Sequence, residues 1–327
     1  MAIPGFVDLQ VNGFIGVDFS DPGLHEKDFC KTCREVLRRG TSAFLPTMIT
    51  SPVDVYERNL PLLAQTVTEP EFAARLLGIH LEGPFISRQP GAVGSHNPKL
   101  VRDPDPALLD RLQELAGGHI KLLSISADVD GADALARHAV EQGITVSLGH
   151  HMADENHLER LAAAGATALT HLGNGIPNTL DRHRNPLWAG LAADDLTALI
   201  ITDGHHLTPS VIKAIIRTKG VERIAVVSDA APLAGLPPGR YRTLGNDVVL
   251  EESGRLYNPE KKCLVGSSAT MLDCINHLAS LGLLGEHDLI RVGFTNPLAL
   301  IGVDPADVHS DSALEFDPAQ RAFHIAG

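Results

Sequence analysis

Eight short β-rich runs recur along the chain, at 5–12, 41–50, 76–84, 120–127, 144–150, 166–174, 196–204 and 223–230. Longer amphipathic stretches separate most of them, at 25–39, 54–66, 106–116, 131–142, 154–164 and 209–219. Several of these end on a glycine in the usual stop position, as Arg39-Gly40, Gln142-Gly143, Ala164-Gly165 and Lys219-Gly220 do. Near-continuous apolar runs such as Ala225-Val226-Val227 suit strands covered on both faces, as parallel strands under helices are. Eight such units in 327 residues predict an α/β fold, a (β/α)8 TIM barrel over residues 1–303. An open doubly wound sheet is the structural alternative. It calls for a glycine-rich phosphate turn after the first strand, and Gly13 to Gly16 is too sparse for one.

The segment 182–194, rich in Pro and Gly, is the weakest of the helix positions. After Met271 the pattern turns helical again at 272–281 and 286–292, with a closing helix at 296–302. A tail over 304–327 carries two alternating runs, 313–316 and 322–325, that read as edge strands.

Composition narrows the function classes. Hydrophobic residues make up 44% of the chain but aromatics only 4%, so the core must be aliphatic. The net charge of −13 excludes a broad nucleic-acid surface, which needs a positive face. With no apolar run long enough to span a membrane and no secretory leader pattern at the start, a soluble cytoplasmic protein is expected. Four cysteines, Cys30, Cys33, Cys263 and Cys274, are too few for a disulfide framework. Cys30 and Cys33 share a helical pattern with Phe29, Val36 and Leu37 and read as helix residues without a redox role.

In a barrel the chemistry gathers where strands end. Here the first strand ends in Asp8-Leu9-Gln10-Val11-Asn12, the third in His80-Leu81-Glu82 and the fifth in His150-His151. The sixth ends in Thr170-His171-Leu172-Gly173-Asn174, the seventh in Asp203-Gly204-His205-His206 and the eighth in Ser228-Asp229. One carboxylate and several imidazoles converging from different strands is the donor set of a catalytic zinc-type site with an open position. Alternation allows one residue of each pair, His150/His151 and His205/His206, to face the axis. On the third strand, Leu77, Ile79 and Leu81 read as helix-facing, so His80 and Glu82 point inward, His80 one layer lower as a buried support.

The stretches Pro4-Gly5-Phe6-Val7-Asp8-Leu9-Gln10, Phe44-Leu45-Pro46-Thr47, His80-Leu81-Glu82-Gly83-Pro84 and Gly94-Ser95-His96-Asn97-Pro98 come in a distinctive order. Gly149-His150, Thr170-His171-Leu172-Gly173-Asn174, Asp203-Gly204-His205-His206, Val227-Ser228-Asp229-Ala230 and Gly266-Ser267-Ser268-Ala269-Thr270-Met271 continue it. Together they resemble the N-acetylglucosamine-6-phosphate deacetylases of the amidohydrolase superfamily. The resemblance implies a metal-dependent hydrolase that frees acetate from an N-acetylated amino-sugar phosphate. It implies Glu82, His150 and His171 as ligands of one divalent ion, zinc first, with Fe2+ and Mn2+ accepted by the same donors. It assigns Asp229 as general base and then acid, and His96 to the amide carbonyl. His206, Asn174 and Gly175 map to substrate contacts and Arg184 to the phosphate, with Arg182 a less favoured reading of that loop. A homodimer is the assembly usual in the family.

Two departures qualify the resemblance. The chain starts at its first strand, so the family's small β-sandwich is missing or reduced to the tail. Asp8-Leu9-Gln10 replaces the His-x-His common in the superfamily, which favours one metal over two. The chemistry stands without the family. An amide is a poor electrophile and water a poor nucleophile, so a Lewis acid and a nearby proton-transferring carboxylate are required. Two other readings compete. One keeps the mechanism but acts on an unphosphorylated N-acetyl sugar or an N-acyl amino acid; the other is a sugar-binding barrel without turnover.

Overall fold

The computed structural model describes residues 3–310 and 313–326; Met1, Ala2, 311–312 and Gly327, part of them in the tail assignment, lie outside it. Eight parallel strands, β1 to β8, run Phe6–Val11, Thr41–Ile49, Ile79–Glu82, Ile120–Ile125, Thr145–Leu148, Ala168–Leu169, Thr197–Ile201 and Ile224–Val227. They pair in sequence order. Between β1 and β8 a parallel bridge from Val11 to Ala230 closes the ring, with the Asn12 N–H donating to the Ala230 carbonyl at 2.8 Å. This is the TIM barrel expected from the alternation, and the open-sheet alternative falls away.

Helices α1 to α7 follow the strands in turn: Glu26–Leu37, Val53–Val67, Pro106–Leu115, Ala132–Glu141, Glu155–Ala163, Pro186–Ala192 and Pro209–Lys219. Their starts are written in the sequence. Asp105, Asn185 and Thr208 each cap a helix whose first residue is proline, which has no N–H left to satisfy. The doubtful segment 182–194 thus resolves into the short α6. Cys30 and Cys33 are buried in α1 as expected.

Inside the barrel, Val7, Leu9, Ala43, Leu45, Leu122, Ala168, Leu199, Ile201, Ala225 and Val227 fill the lower layers. Phe294 and Leu298 plug the bottom from a helical stretch, α9 (Glu286–Ile290) and α10 (Asn296–Leu300), joined through a π-helical turn at Arg291–Thr295. Leu77 corrects the expected alternation. It packs against this interior cluster instead of facing the helices, because the backbone at Gly78, φ 135°, resets the phase. Above the aliphatic layers lies a hydrogen-bonded polar one: Thr47 to His80, His80 to Ser124, Ser124 to Thr170, and Thr170 to Ser147. Burial pushes the His80 imidazole down to about 4, so it sits neutral in that layer.

Between β8 and α8 (Met271–Ser280) the chain builds a unit the sequence reading missed. Four antiparallel strands, β9 to β12, run Gly239–Thr243, Asn246–Leu250, Leu256–Asn258 and Cys263–Leu264, around an apolar cluster of Leu233, Val248, Leu250, Leu256 and Val265. The tail strands Leu314–Asp317 and Ala322–Ile325 (β13 and β14) pair with each other, and Leu314 bridges to Ile3. Phe323 then packs edge-on against Phe6 at 5.0 Å, so this hairpin is anchored on the first barrel strand. No helix among the described residues is long and apolar enough to cross a membrane.

Candidate active site

Glu82 ends β3, and His150 and His171 stand just beyond β5 and β6. All three are buried. His150 Nε2 lies 3.1 Å from Glu82 Oε1, His171 Nε2 lies 3.0 Å from the same oxygen, and the two Nε2 atoms are 3.1 Å apart. Among the described residues this is the one cluster of three potential ligand side chains. His150 Nδ1–H donates to the Ala92 carbonyl at 2.9 Å, which leaves its Nε2 lone pair aimed at Glu82. A carboxylate oxygen and a bare ring nitrogen this close repel unless a positive charge lies between them. Two imidazoles and a carboxylate therefore fit a single divalent cation. Gly175 allows the backbone to run flush with both rings, since a Cβ there would stand 2.9 Å from His150 Nδ1 and 3.1 Å from His171 Cε1.

Asp229 is held beside this cluster by Gln10 of β1 and by Asn12 just beyond that strand. Gln10 Nε2 donates both to Asp229 Oδ1 at 3.0 Å and to Glu82 Oε1 at 2.9 Å, and Asn12 Nδ2 donates to Asp229 Oδ1 at 2.7 Å. Strict alternation would not send Gln10 inward alongside Leu9. A bulge between Asp8 and Val11 adds one residue to β1 and re-aims Gln10 into the site. Asp8, by contrast, is turned away and accepts from the Ser228 N–H and hydroxyl. Burial first, and the charge of Glu82 second, push the Asp229 carboxyl up to about 6. His150, His171 and Asp229 share a further property: their φ angles of 51°, 31° and 50° are left-handed, which few residues other than glycine and asparagine adopt.

A cavity of about 470 Å³ opens over these groups. His96, His206, Asn174 and Gly175 line it, together with Glu82, His150, His171 and Asp229. The His96 ring packs edge-on to His150 with centroids 4.5 Å apart, and its Nε2 is 3.6 Å from Glu82 Oε2. Burial pushes it down to about 3, so the ring is neutral. Its Nδ1, like Gln10 Oε1, Asn12 Oδ1 and His171 Nδ1, is buried without a protein partner, the signature of polar atoms set for a ligand. His206 Nδ1 donates to the buried Asp203 at 2.8 Å. His151 and His205, the other members of the two pairs, bond the Ala153 N–H and the Ser253 carbonyl and stay out of this cavity.

Arg184 is the expected residue that the fold does not bring to the others. It is exposed, with its N–H bonded to Asp181, and neither it nor Arg182 lines the cavity. The cavity's cations are Arg255 and Lys262, both from the unforeseen antiparallel unit. That unit also reaches the His96 loop: Asn246 Nδ2 and Lys261 Nζ donate to the Ser95 carbonyl at 3.1 and 2.9 Å.

The chain is similar to curated proteins over most of its length. The N-acetylglucosamine-6-phosphate deacetylase of Danio rerio is 32% identical over 323 residues, 96% of this chain and 77% of the relative. The chain belongs to the N-acetylglucosamine-6-phosphate deacetylase family. The human member of that family is 31% identical, again over 96% of the chain. Solved structures of family members from Mycobacterium smegmatis and Pasteurella multocida superpose with TM-scores of 0.88 and 0.87 at 27% and 26% identity. They cover 100% and 99% of this chain, which spans 86% and 84% of theirs. No protein-family model matches the chain.

Proposed function

We propose that the chain hydrolyses the acetamide of an N-acetylated amino-sugar phosphate, N-acetylglucosamine 6-phosphate in the first place, to acetate and glucosamine 6-phosphate. One observation carries this reading: the Glu82, His150 and His171 cluster is tied to Asp229 through a single amide, Gln10 Nε2. Glu82, His150 and His171 would hold one divalent ion, zinc in this reading. When bound, such an ion acidifies water and steadies negative charge on the acyl oxygen.

The chain's own residues supply the rest. Asp229 takes the proton of the attacking water and returns it to the leaving sugar nitrogen. Burial holds its carboxyl above the ordinary carboxylate range, which makes it a stronger base for that proton. Gln10 and Asn12 fix its oxygen so that the proton moves along one direction. His96, neutral, donates one N–H to the amide carbonyl as charge builds there. Asn174, Gly175 and His206 contact the sugar phosphate, and Arg184 adds charge from the rim, where its loop follows the cavity residues Ile176 to Asn178. A cytoplasmic homodimer completes the reading.

The test is acetate release by the purified, metal-loaded enzyme from N-acetyl sugars with and without 6-phosphate. A relative 29% identical, from Escherichia coli O157:H7, is named for the galacto epimer, so both epimers belong in the panel. Release from the 6-phosphates alone supports the proposal; release from no N-acetyl sugar overturns it. The position of Arg184 outside the cavity favours the second reading, an unphosphorylated substrate, and equal rates with and without phosphate would establish that one.

A further inference from the structure

We propose that Arg255, carried to the barrel mouth by the antiparallel unit, is the cation that binds the phosphomonoester of the substrate directly, with Arg184 adding charge only from the rim. The inference rests on the deacetylase reading and adds a residue that the sequence motifs do not mark.

The cavity wall holds two Lys or Arg side chains, Arg255 and Lys262, in a chain of net charge −13. A dianionic substituent entering this cavity has few other charges to meet. The Arg255 guanidinium stacks on the Tyr257 ring at 4.0 Å, which fixes its plane. It uses Nη1 on Glu251 at 3.2 Å, in a pair whose side chains are 40% and 42% exposed. Such a solvated pair contributes little, so it exchanges readily for a two-pronged bond to phosphate.

The turn that presents Arg255 is pinned at neighbouring points. The Ser253 carbonyl accepts from His205 Nε2 at 3.0 Å, and the Gly254 carbonyl accepts from the Ser268 hydroxyl. These bonds set the turn against the loop that carries His206. Burial works against charge on His206, yet the hydrogen bond and charge of Asp203 raise its pKa above the ordinary imidazole value. Arg255 and His206 thus both line the cavity, whereas Arg184 is exposed and does not.

Arg255→Gln and Arg184→Gln would be compared with the unaltered enzyme on an N-acetyl sugar with and without 6-phosphate, alongside calorimetric titration with inorganic phosphate. For Arg255→Gln we expect KM for the phosphorylated sugar to rise about 10- to 100-fold, the loss expected of one charge-assisted contact, with kcat nearly unchanged. The unphosphorylated sugar should be unaffected, and phosphate binding should weaken by a similar factor. An unchanged KM, or an equal loss on both sugars, overturns the assignment. A rise with Arg184→Gln and none with Arg255→Gln does so too, giving the role to the loop. If the unaltered enzyme releases no acetate, the deacetylase reading fails by itself. The titration still decides: unaltered phosphate affinity in Arg255→Gln would remove Arg255 from anion recognition.

Discussion

The Asn246 side-chain amide donates to the Ser95 carbonyl at 3.1 Å, joining the antiparallel unit to the loop of His96 across 151 residues of sequence. Asn258 holds Asn246 in turn, its Nδ2 donating to Asn246 Oδ1 at 3.0 Å, and both asparagines are buried. The position of a residue assigned to the substrate carbonyl therefore depends on a sheet outside the barrel.

Asn246→Ala should slow turnover and soften the fold together. It leaves the Asn258 amide without its acceptor, worth about 1–3 kcal/mol when buried. Loss of placement at His96 should lower kcat by about tenfold or more, since small displacements at a reacting centre are costly. Denaturant unfolding and steady-state kinetics measure the two effects; a normal kcat would show that the His96 loop holds itself.

Asp229→Asn is expected to keep its metal and lose turnover by about 10²- to 10⁴-fold, the usual contribution of a positioned proton carrier. Asparagine retains an oxygen for the Gln10 and Asn12 donors and tolerates the left-handed backbone. Unchanged turnover would remove Asp229 from the mechanism.

Glu82→Gln should reduce bound metal in elemental analysis. Even changes around a ligand weaken metal affinity about 10- to 100-fold, and this one removes the only formal charge in the cluster. Full occupancy would show that the ligand set is wrong.

The Asp203–His206 pair gives stability a definite pH window. The folded His206 pKa is raised above 6.5, so its contribution is complete below 6.5 and is lost as pH rises through the raised value. Despite burial, the His206 hydrogen bond and charge hold Asp203 well below 3.8, so its share is complete above 3.8 and is lost as pH falls through the folded value. His206→Gln should therefore cost more stability at pH 6 than at pH 9. Equal costs in denaturant titrations at the two values would mean that the ring is uncharged.

The barrel was legible because each βα unit repeats the same two periods and ends on a recognisable stop, and because six strands end in polar residues. Placement at the strand ends made Glu82, His150, His171 and Asp229 candidates among several, and the family resemblance singled them out. The antiparallel unit was not legible. Its first hairpin turns on Leu244-Gly245, both at positive φ, where Asn-Gly would have announced the turn. Its strands, such as Gly239–Thr243, are short and half polar. Gln10 stood among the strand-end residues without a role, because a bulge has no residue signature and the sequence does not show that it turns Gln10 into the site. For Arg184 the motif could identify the loop but not which way a flexible cation on it points.

The left-handed backbone at His150, His171 and Asp229 has a consequence for anyone breeding a hardier version of this enzyme. Holding His or Asp there costs about 1–3 kcal/mol, a strain that asparagine relieves at any of the three while keeping a polar side chain. A library selected by survival at high temperature would drift to those sites first and collect inert barrels. Turnover has to be screened in every round, and the sturdiest clones are the ones to distrust.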